Sequence, residues 1–132
     1  MDYKILEIAA DTKNCKKISN CTHSSKLKNT TCGDIMEIQL IIKKNEIFDF
    51  GYDCNSCVYC QASASVLSKC SINKSLNVVK DIISLSKVFF DKEDSKFPKD
   101  WSKLNKLFSE KNKSRKECIL LPFKALKKAL QN

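Results

Sequence analysis

The sequence has very little histidine and arginine, and it has no long apolar run. His23 is the single histidine, and without a second histidine or paired catalytic carboxylates hydrolase-type acid–base chemistry has little support. Arg115 is the single arginine, although the formal net charge is +9. Lysine supplies that charge along nearly the whole chain, whereas a nucleic-acid surface would cluster it with arginine and aromatics. The pattern disfavours nucleic acid as a partner, indicates a solvated lysine surface, and suits an acidic protein partner.

The chain also lacks the signals of membrane insertion and secretion. No apolar run approaches the roughly 18 residues of a membrane span, and the charged start, residues 1–4, leads into no signal-peptide core. We therefore expect a cytoplasmic protein with no membrane partner. Its 132 residues, with 42% hydrophobic and 30% charged and no internal repeat or low-complexity linker, predict a single globular domain over residues 1–132.

Periodicity in the sequence predicts an α+β fold. Apolar residues alternate over 36–42 and again over 47–53, which predicts two strands of a hairpin around 44–46. The other predicted elements are an edge strand at 21–28, a polar loop at 111–114, and helices at 2–11, 58–70, 75–90, 101–108 and 115–130, with Pro122 at a bend or in a first helical turn. This order favours a small antiparallel sheet with helices packed on one face.

Eight cysteines require a chemical reason in a reducing compartment, where clustered thiols more often indicate metal or sulphur chemistry than disulfides. The hairpin would bring Cys32 and Asp34, before its first strand, beside Cys54 and Cys57, after its second. With Cys118 from a third segment, these residues could form one metal site. The candidate ligand set is Cys32, Asp34, Cys57 and Cys118, which suits zinc or an iron–sulphur cluster.

Other interpretations of the thiols remain open. Cys118 could be a buried small hydrophobic residue. The spacing of Cys54, Cys57 and Cys60 begins like a bacterial ferredoxin, but Ala64 stands where the fourth thiol belongs. A zinc knuckle would need a further close ligand pair. For Cys15, Cys21 and Cys70 we expect incidental or buried thiols.

Three motifs in register carry a resemblance to a known family. They are Asn29-Thr30-Thr31-Cys32-Gly33-Asp34, then Cys57 followed by Ala62-Ser63-Ala64-Ser65, and finally Cys118-Ile119-Leu120-Leu121-Pro122. Together they make the chain similar, over roughly residues 1–130, to the U-type iron–sulphur assembly family (NifU N-terminal domain, IscU, SufU). The IscU branch usually has a histidine before the third cysteine. Here Glu117 occupies that position and Arg115 lies three residues before Cys118, as in the SufU branch.

The resemblance implies a scaffold or carrier rather than an enzyme. Such a scaffold takes sulphur from a cysteine desulphurase, builds or carries a [2Fe–2S] cluster from iron, and serves recipient apo iron–sulphur proteins. It implies Cys32, Asp34, Cys57 and Cys118 as ligands, with Cys118 as candidate persulphide acceptor and Arg115 in a supporting role.

The alternative is a zinc-dependent sulphurtransferase of the SufU type, in which the same residues bind Zn²⁺. Cys54 and Cys60 are extra thiols that the family motif does not require, and either could serve as an auxiliary ligand or relay a persulphide. A structural-zinc module that binds nucleic acid through its lysines is a third hypothesis, which steeply salt-dependent binding would favour.

Overall fold

Three antiparallel strands form the sheet on which the helices pack. The computed structural model describes residues 3–29, 33–55, 57–91 and 95–131. The strands, in sheet order, are β1 His23–Lys28, β2 Ile35–Lys43 and β3 Glu46–Asn55. The helices are α1 Tyr3–Ala10, α2 Val58–Ser71, α3 Leu76–Val88, α4 Leu104–Leu107 and α5 Lys116–Leu130, with 3₁₀ turns at Phe89–Asp91, Lys99–Trp101 and Glu110–Arg115. The predicted α+β class is confirmed.

A tight turn at Lys44 and Asn45 joins β2 to β3. Both residues have positive φ, 51° and 64°, as in the two-residue turns whose twist matches that of a hairpin. The register pairs Ile35, the first residue of β2, with Asn55, the last residue of β3. The hairpin therefore places the chain just before β2 beside the chain just after β3, as predicted.

One face of the sheet is buried under α2 and α5. Met36, Ile38 and Leu40 alternate along β2 and are fully buried, whereas Glu37 and Gln39 between them are only partly buried. Helix α2 packs against β3, and α5 packs against β1 and β2. The period of two in the sequence thus separates a helix-covered face from a more polar one.

Small side chains let α2 approach its neighbours closely. Ser63 is fully buried, and its hydroxyl donates a hydrogen bond to the carbonyl oxygen of Ile119 in α5 over 2.7 Å. The Ser65 hydroxyl donates to the carbonyl oxygen of Asp11, just after α1, over 2.9 Å. Helix α2 is therefore fixed to α5 on one side and to the end of α1 on the other.

The segment that follows α1 covers the outer edge of β3. The Tyr52 backbone N–H donates to the carbonyl oxygen of Asn14 over 3.1 Å, and the Ile18 N–H donates to the Gln39 side chain over 2.9 Å. Gly51 lies beneath this segment and is buried. A Cβ added at Gly51 would meet the Lys16 carbonyl oxygen at 2.6 Å and the Ile18 side chain at 3.0 Å.

We expect Gly51→Ala to destabilise the protein by about 1–3 kcal/mol, because the new methyl group would push against the Lys16 backbone carbonyl as well as the Ile18 side chain. Urea unfolding followed by circular dichroism measures this change. An unfolding midpoint equal to that of the unmodified protein would show that the 14–18 segment yields without cost.

A cluster of phenylalanine rings connects the region after α3 to α5. The Phe108 ring is the centre, and its centroid lies 5.2 Å from Phe89, 5.2 Å from Phe90, 4.9 Å from Phe97 and 5.4 Å from Phe123. These distances are typical of aromatic pairs that stabilise beyond their buried area. The Phe108 cluster therefore fixes α5, on which Phe123 lies.

Three predictions about the last third of the chain were wrong. Residues 111–114 are not a polar loop but part of a 3₁₀ turn, in which the buried Asn112 amide donates to the carbonyl oxygens of Lys106 and Leu107. The helix predicted over 101–108 is interrupted, so that only Leu104–Leu107 is α-helical. Pro122 lies inside α5 beyond its first turn, where packing on the core outweighs the lost hydrogen bond.

No helix within the four described ranges combines the length and the apolar character that crossing a membrane would require.

Candidate metal centre

A glycine turn places Asp34 at the start of β2. Gly33 has φ +77°, a left-handed conformation that favours glycine. Its N–H donates to the carbonyl oxygen of Asn29 over 2.7 Å, and the Asn29 N–H donates to the carbonyl oxygen of Asp34 over 2.8 Å. These two bonds join the residue after β1 to the residues just before β2, and they fix the backbone from which the Asp34 carboxylate projects.

Two thiols occupy the N-terminal ends of the two longest helices. Cys57 is the N-cap residue of α2, and Cys118 lies in the first turn of α5. Unpaired N–H groups and the helix dipole at such positions favour negatively charged ligands. The Ser63–Ile119 hydrogen bond joins the same two helices six residues after Cys57 and one residue after Cys118, so it helps to set the separation of the two helix ends.

Asp34, Cys57 and Cys118 converge on one point. Their ligand atoms, one carboxylate oxygen and two sulphurs, all lie within 4.8 Å of one another. Cys118 is buried, and the other two residues are partly buried. Three of the four sequence-predicted ligands are thus brought together from segments far apart in the chain. The fourth, Cys32, lies outside the described residues.

The Asp34 carboxylate tests whether these residues fit a metal. Its Oδ2 atom is buried and has no hydrogen-bond partner among the residues that the structure describes. A buried carboxylate oxygen without a partner costs free energy, and a coordinated cation removes that cost. Two sulphurs and one carboxylate oxygen are a donor set that zinc and iron accept. These three residues therefore fit a zinc or iron ion, and the arrangement is a candidate metal site.

Cys54 and Cys60 lie beside this site without joining its compact ligand group. Cys54 pairs with Met36 near the end of β3, and Cys60 is fully buried in the first turn of α2. Their Sγ atoms are 3.4 Å apart. Neither belongs to the group of ligand atoms that all lie within 4.8 Å of one another, so a role as auxiliary ligand remains a prediction.

The remaining residues that the sequence analysis considered lie elsewhere. Cys15 is exposed, whereas Cys21 and Cys70 are partly buried. Burial raises the pKa of the Cys70 thiol, so that thiol is held in its neutral form. The His23 Nδ1 atom lies 2.9 Å from the Thr22 hydroxyl at the start of β1.

Comparison with known proteins identifies the family. The family model for the NifU-like N-terminal domain matches residues 2–132. The chain belongs to the NifU-like N-terminal domain family. The resemblance that the three sequence motifs indicated is thereby confirmed, and the candidate metal centre is built from those motifs.

Relatives and solved structures agree with the family. An uncharacterised protein of Borreliella burgdorferi is 32% identical over 117 residues, which are 86% of this chain and 74% of that protein. The putative iron–sulphur cluster assembly scaffold protein for the SUF system from Fervidobacterium islandicum is 25% identical, with a TM-score of 0.87 over 98% of this chain and 96% of that one. A NifU-like N-terminal protein from Brucella abortus shares the fold at 18% identity, with a TM-score of 0.89 over 98% and 91% of the two chains.

Tyr59 is a residue near the candidate metal centre that the sequence analysis missed. It lies two residues after Cys57, and the Arg115 guanidinium lies over its ring, 5.5 Å from the centroid. Arg115 is exposed and directly precedes α5, which carries Cys118. This cation–π contact therefore joins the beginnings of α2 and α5. No pattern in the sequence indicated it.

Tyr52 is a second residue whose environment the sequence did not indicate. Burial raises the pKa of its phenol to about 12; nearby Cys15 also raises it, and a hydrogen bond with Ser65 opposes the shift. We expect this phenol to stay neutral until about pH 12. Between the unfolded pKa of about 10 and the folded value, the unfolded chain releases a proton that the folded chain retains. Folding stability should then fall by about 1.4 kcal/mol per pH unit from this residue alone.

Ultraviolet absorption titration measures the late ionisation of the Tyr52 phenol, and urea unfolding at pH 10 to 12 measures the loss of folding stability. Tyr52→Phe is the matched control. It should lack the late phenolate transition and lose less stability across this window. Equal losses in the two proteins would contradict the assignment.

Proposed function

We propose that this NifU-like protein is a scaffold for iron–sulphur cluster assembly, with Cys32, Asp34, Cys57 and Cys118 as ligands of the growing cluster. The convergence of three of these ligands within 4.8 Å carries the proposal, and membership of the family supports the scaffold role. Iron–sulphur clusters are held by thiolates. A carboxylate is a more exchangeable ligand than a thiolate, so Asp34 would supply the position from which a [2Fe–2S] cluster is released.

Sulphur arrives, in this proposal, as the persulphide of a cysteine desulphurase. The Cys118 thiolate attacks the terminal sulphur, the bond between the two persulphide sulphurs breaks, and the desulphurase thiolate leaves. One persulphide is consumed and one is formed, so this transfer needs no external electrons. The position of Cys118 in the first turn of α5 favours the thiolate that attacks.

Arg115 is proposed to assist docking of the desulphurase. Its guanidinium is exposed and is held over Tyr59 at the start of α2, so its charge stands close to the ligand-bearing ends of both helices. We expect Arg115→Ala to lower the stimulation of desulphurase turnover by roughly tenfold, in line with loss of one charged contact of about 1–2 kcal/mol. Metal content should be unchanged. The assay is sulphide release by the desulphurase with each variant added.

Lys113→Ala is the control for Arg115→Ala, because Lys113 is an exposed cation in the same 3₁₀ turn. If both variants lowered stimulation equally, general surface charge would be the cause. A loss of metal from Arg115→Ala would instead assign the residue to the centre itself.

A zinc-dependent sulphur acceptor is the second candidate, and the compactness of the ligand group favours it. Sulphurs around one tetrahedral zinc ion, with Zn–S bonds of about 2.3 Å, lie roughly 3.8 Å apart. Ligand atoms that are all within 4.8 Å of one another need little movement to bind a single ion. In this form Cys118 would still accept the persulphide sulphur, and Zn²⁺ would hold the thiolates.

Metal and acid-labile sulphide content of the whole chain, purified without oxygen, distinguishes the candidates. A scaffold should take up iron and sulphide, develop visible charge-transfer absorption, and pass its cluster to an apo iron–sulphur protein. A zinc-dependent acceptor should contain stoichiometric zinc and increase desulphurase turnover. Protein that binds neither zinc nor a cluster would end both proposals.

A further inference from the structure

Two thiols beside the candidate metal centre face each other at close range. The Cys54 and Cys60 Sγ atoms are 3.4 Å apart. Cys54 is partly exposed near the end of β3, whereas Cys60 is fully buried in the first turn of α2. The pair thus connects two elements of the fold, and it combines one partly exposed cysteine with one that solvent does not reach.

The Sγ–Sγ separation is only moderately longer than a covalent bond. A disulfide has an S–S length of about 2.05 Å, so the two sulphurs need to approach by roughly 1.4 Å from their present 3.4 Å. Rotation about the side-chain torsions of Cys54, which lies at the partly exposed end of a strand, supplies a movement of this size.

We propose that Cys54 and Cys60 form a redox-active dithiol site whose substrate is a small disulfide. The Cys54 thiolate attacks one sulphur of the small disulfide, forms a mixed disulfide and releases the first small thiolate. The Cys60 thiolate then attacks the Cys54 sulphur and releases the second. Two protein thiols lose two protons and two electrons, and the small disulfide is reduced to two thiols, so the step balances.

Accessibility assigns the two roles. An attacking thiol must be reached by the small disulfide, which fits the partly exposed Cys54, whereas a resolving thiol needs only to reach its neighbour. The resulting bond would join the end of β3 to the first turn of α2, on either side of Cys57. This site is independent of the proposed scaffold function, because it needs neither iron nor a desulphurase.

The test uses the full chain, reduced and freed of reductant without oxygen, and then incubated with oxidised glutathione. Remaining thiols are alkylated in denaturant, so that buried Cys60 is also reached, and chymotrypsin cleaves after Tyr59, which separates Cys60 from Cys54 and Cys57. We expect a loss of two hydrogen atoms in the intact mass and two peptides linked through Cys54 and Cys60, with Cys57 alkylated. Cys54 and Cys60 that both remain alkylatable, or a bond from Cys57 to either, would overturn the proposal.

Variants separate the attacking thiol from the resolving one. Cys60→Ser should stop at a mixed disulfide of glutathione on Cys54, whereas Cys54→Ser should leave Cys60 alkylatable. Cys70→Ser, which removes a partly buried thiol elsewhere on α2, should form the Cys54–Cys60 bond as the unmodified protein does. Far-ultraviolet circular dichroism checks each fold, and the result on the unmodified chain stands even if a variant fails to fold.

Discussion

Replacing Cys118 by serine should lower the affinity of the protein for Co²⁺ by more than about 100-fold. Groups that merely orient a metal ligand contribute about 10- to 100-fold to affinity, so loss of a ligand itself should exceed that range. Serine differs from cysteine by one atom, and Cys118 lies at the beginning of α5 rather than in its middle, so the helix should still form. Visible absorption of the cobalt–thiolate site, titrated against a competing chelator, measures the affinity.

Cys21→Ser is the control for the cobalt titration, because Cys21 is a partly buried thiol that precedes β1 and takes no part in the ligand group. We expect it to bind Co²⁺ as the unmodified protein does. Asp34→Asn should also weaken binding, because the amide keeps the shape of the side chain and removes its charge. If Cys118→Ser retained full affinity, the ligands would have to be sought among the other thiols.

The second large effect is expected at the centre of the Phe108 cluster. Phe108→Ala should lower the free energy of unfolding by about 3–5 kcal/mol, the usual range for removing a buried phenylalanine ring. The Phe108 side chain is 2% exposed and contacts four other rings. The cavity would lie between α5 and the region after α3. Urea unfolding, with the midpoint and slope fitted separately, measures the loss.

Phe48→Ala is the matched control, since Phe48 is 55% exposed and stacks under the Lys43 ammonium at 4.1 Å. That variant should lose less than about 1 kcal/mol. A Phe108→Ala protein as stable as Phe48→Ala would show that the cluster does not hold α5. Conversely, a large loss together with weakened Co²⁺ binding would connect the aromatic packing to the position of Cys118.

Local signals in the sequence were sufficient for most of the fold. The alternation that ends at Ile42 and resumes at Ile47 predicted the β2–β3 hairpin, and the apolar pattern over 75–90 predicted the helix α3. The structure confirms both, with the Val78 N–H donating to the Ser75 hydroxyl over 3.3 Å. These features depend on neighbours in the chain, so a single sequence reveals them.

The candidate site was predictable to the extent that topology brings its residues together. The hairpin register accounts for Asp34 lying near the start of α2. The approach of Cys118, in contrast, depends on how α5 packs on α2. No spacing or periodicity predicted it; thiol chemistry made Cys118 a candidate ligand, and the family resemblance supported that choice. Distances between side chains, such as the one between Cys54 and Cys60 or between Arg115 and Tyr59, follow from packing that no periodicity encodes. The 3₁₀ turn around Asn112 was missed for the same reason.

Asp34 directly precedes β2 and Cys118 lies in the first turn of α5, the last helix, so these two ligands meet only while α5 is packed on the sheet. Metal binding at the centre and global unfolding are therefore thermodynamically linked. A cation at 100 times its dissociation constant would raise the apparent unfolding free energy by about 2.7 kcal/mol. If the proposed scaffold function holds, release of the bound metal removes this contribution, and the empty protein should unfold at a lower urea concentration than the loaded one.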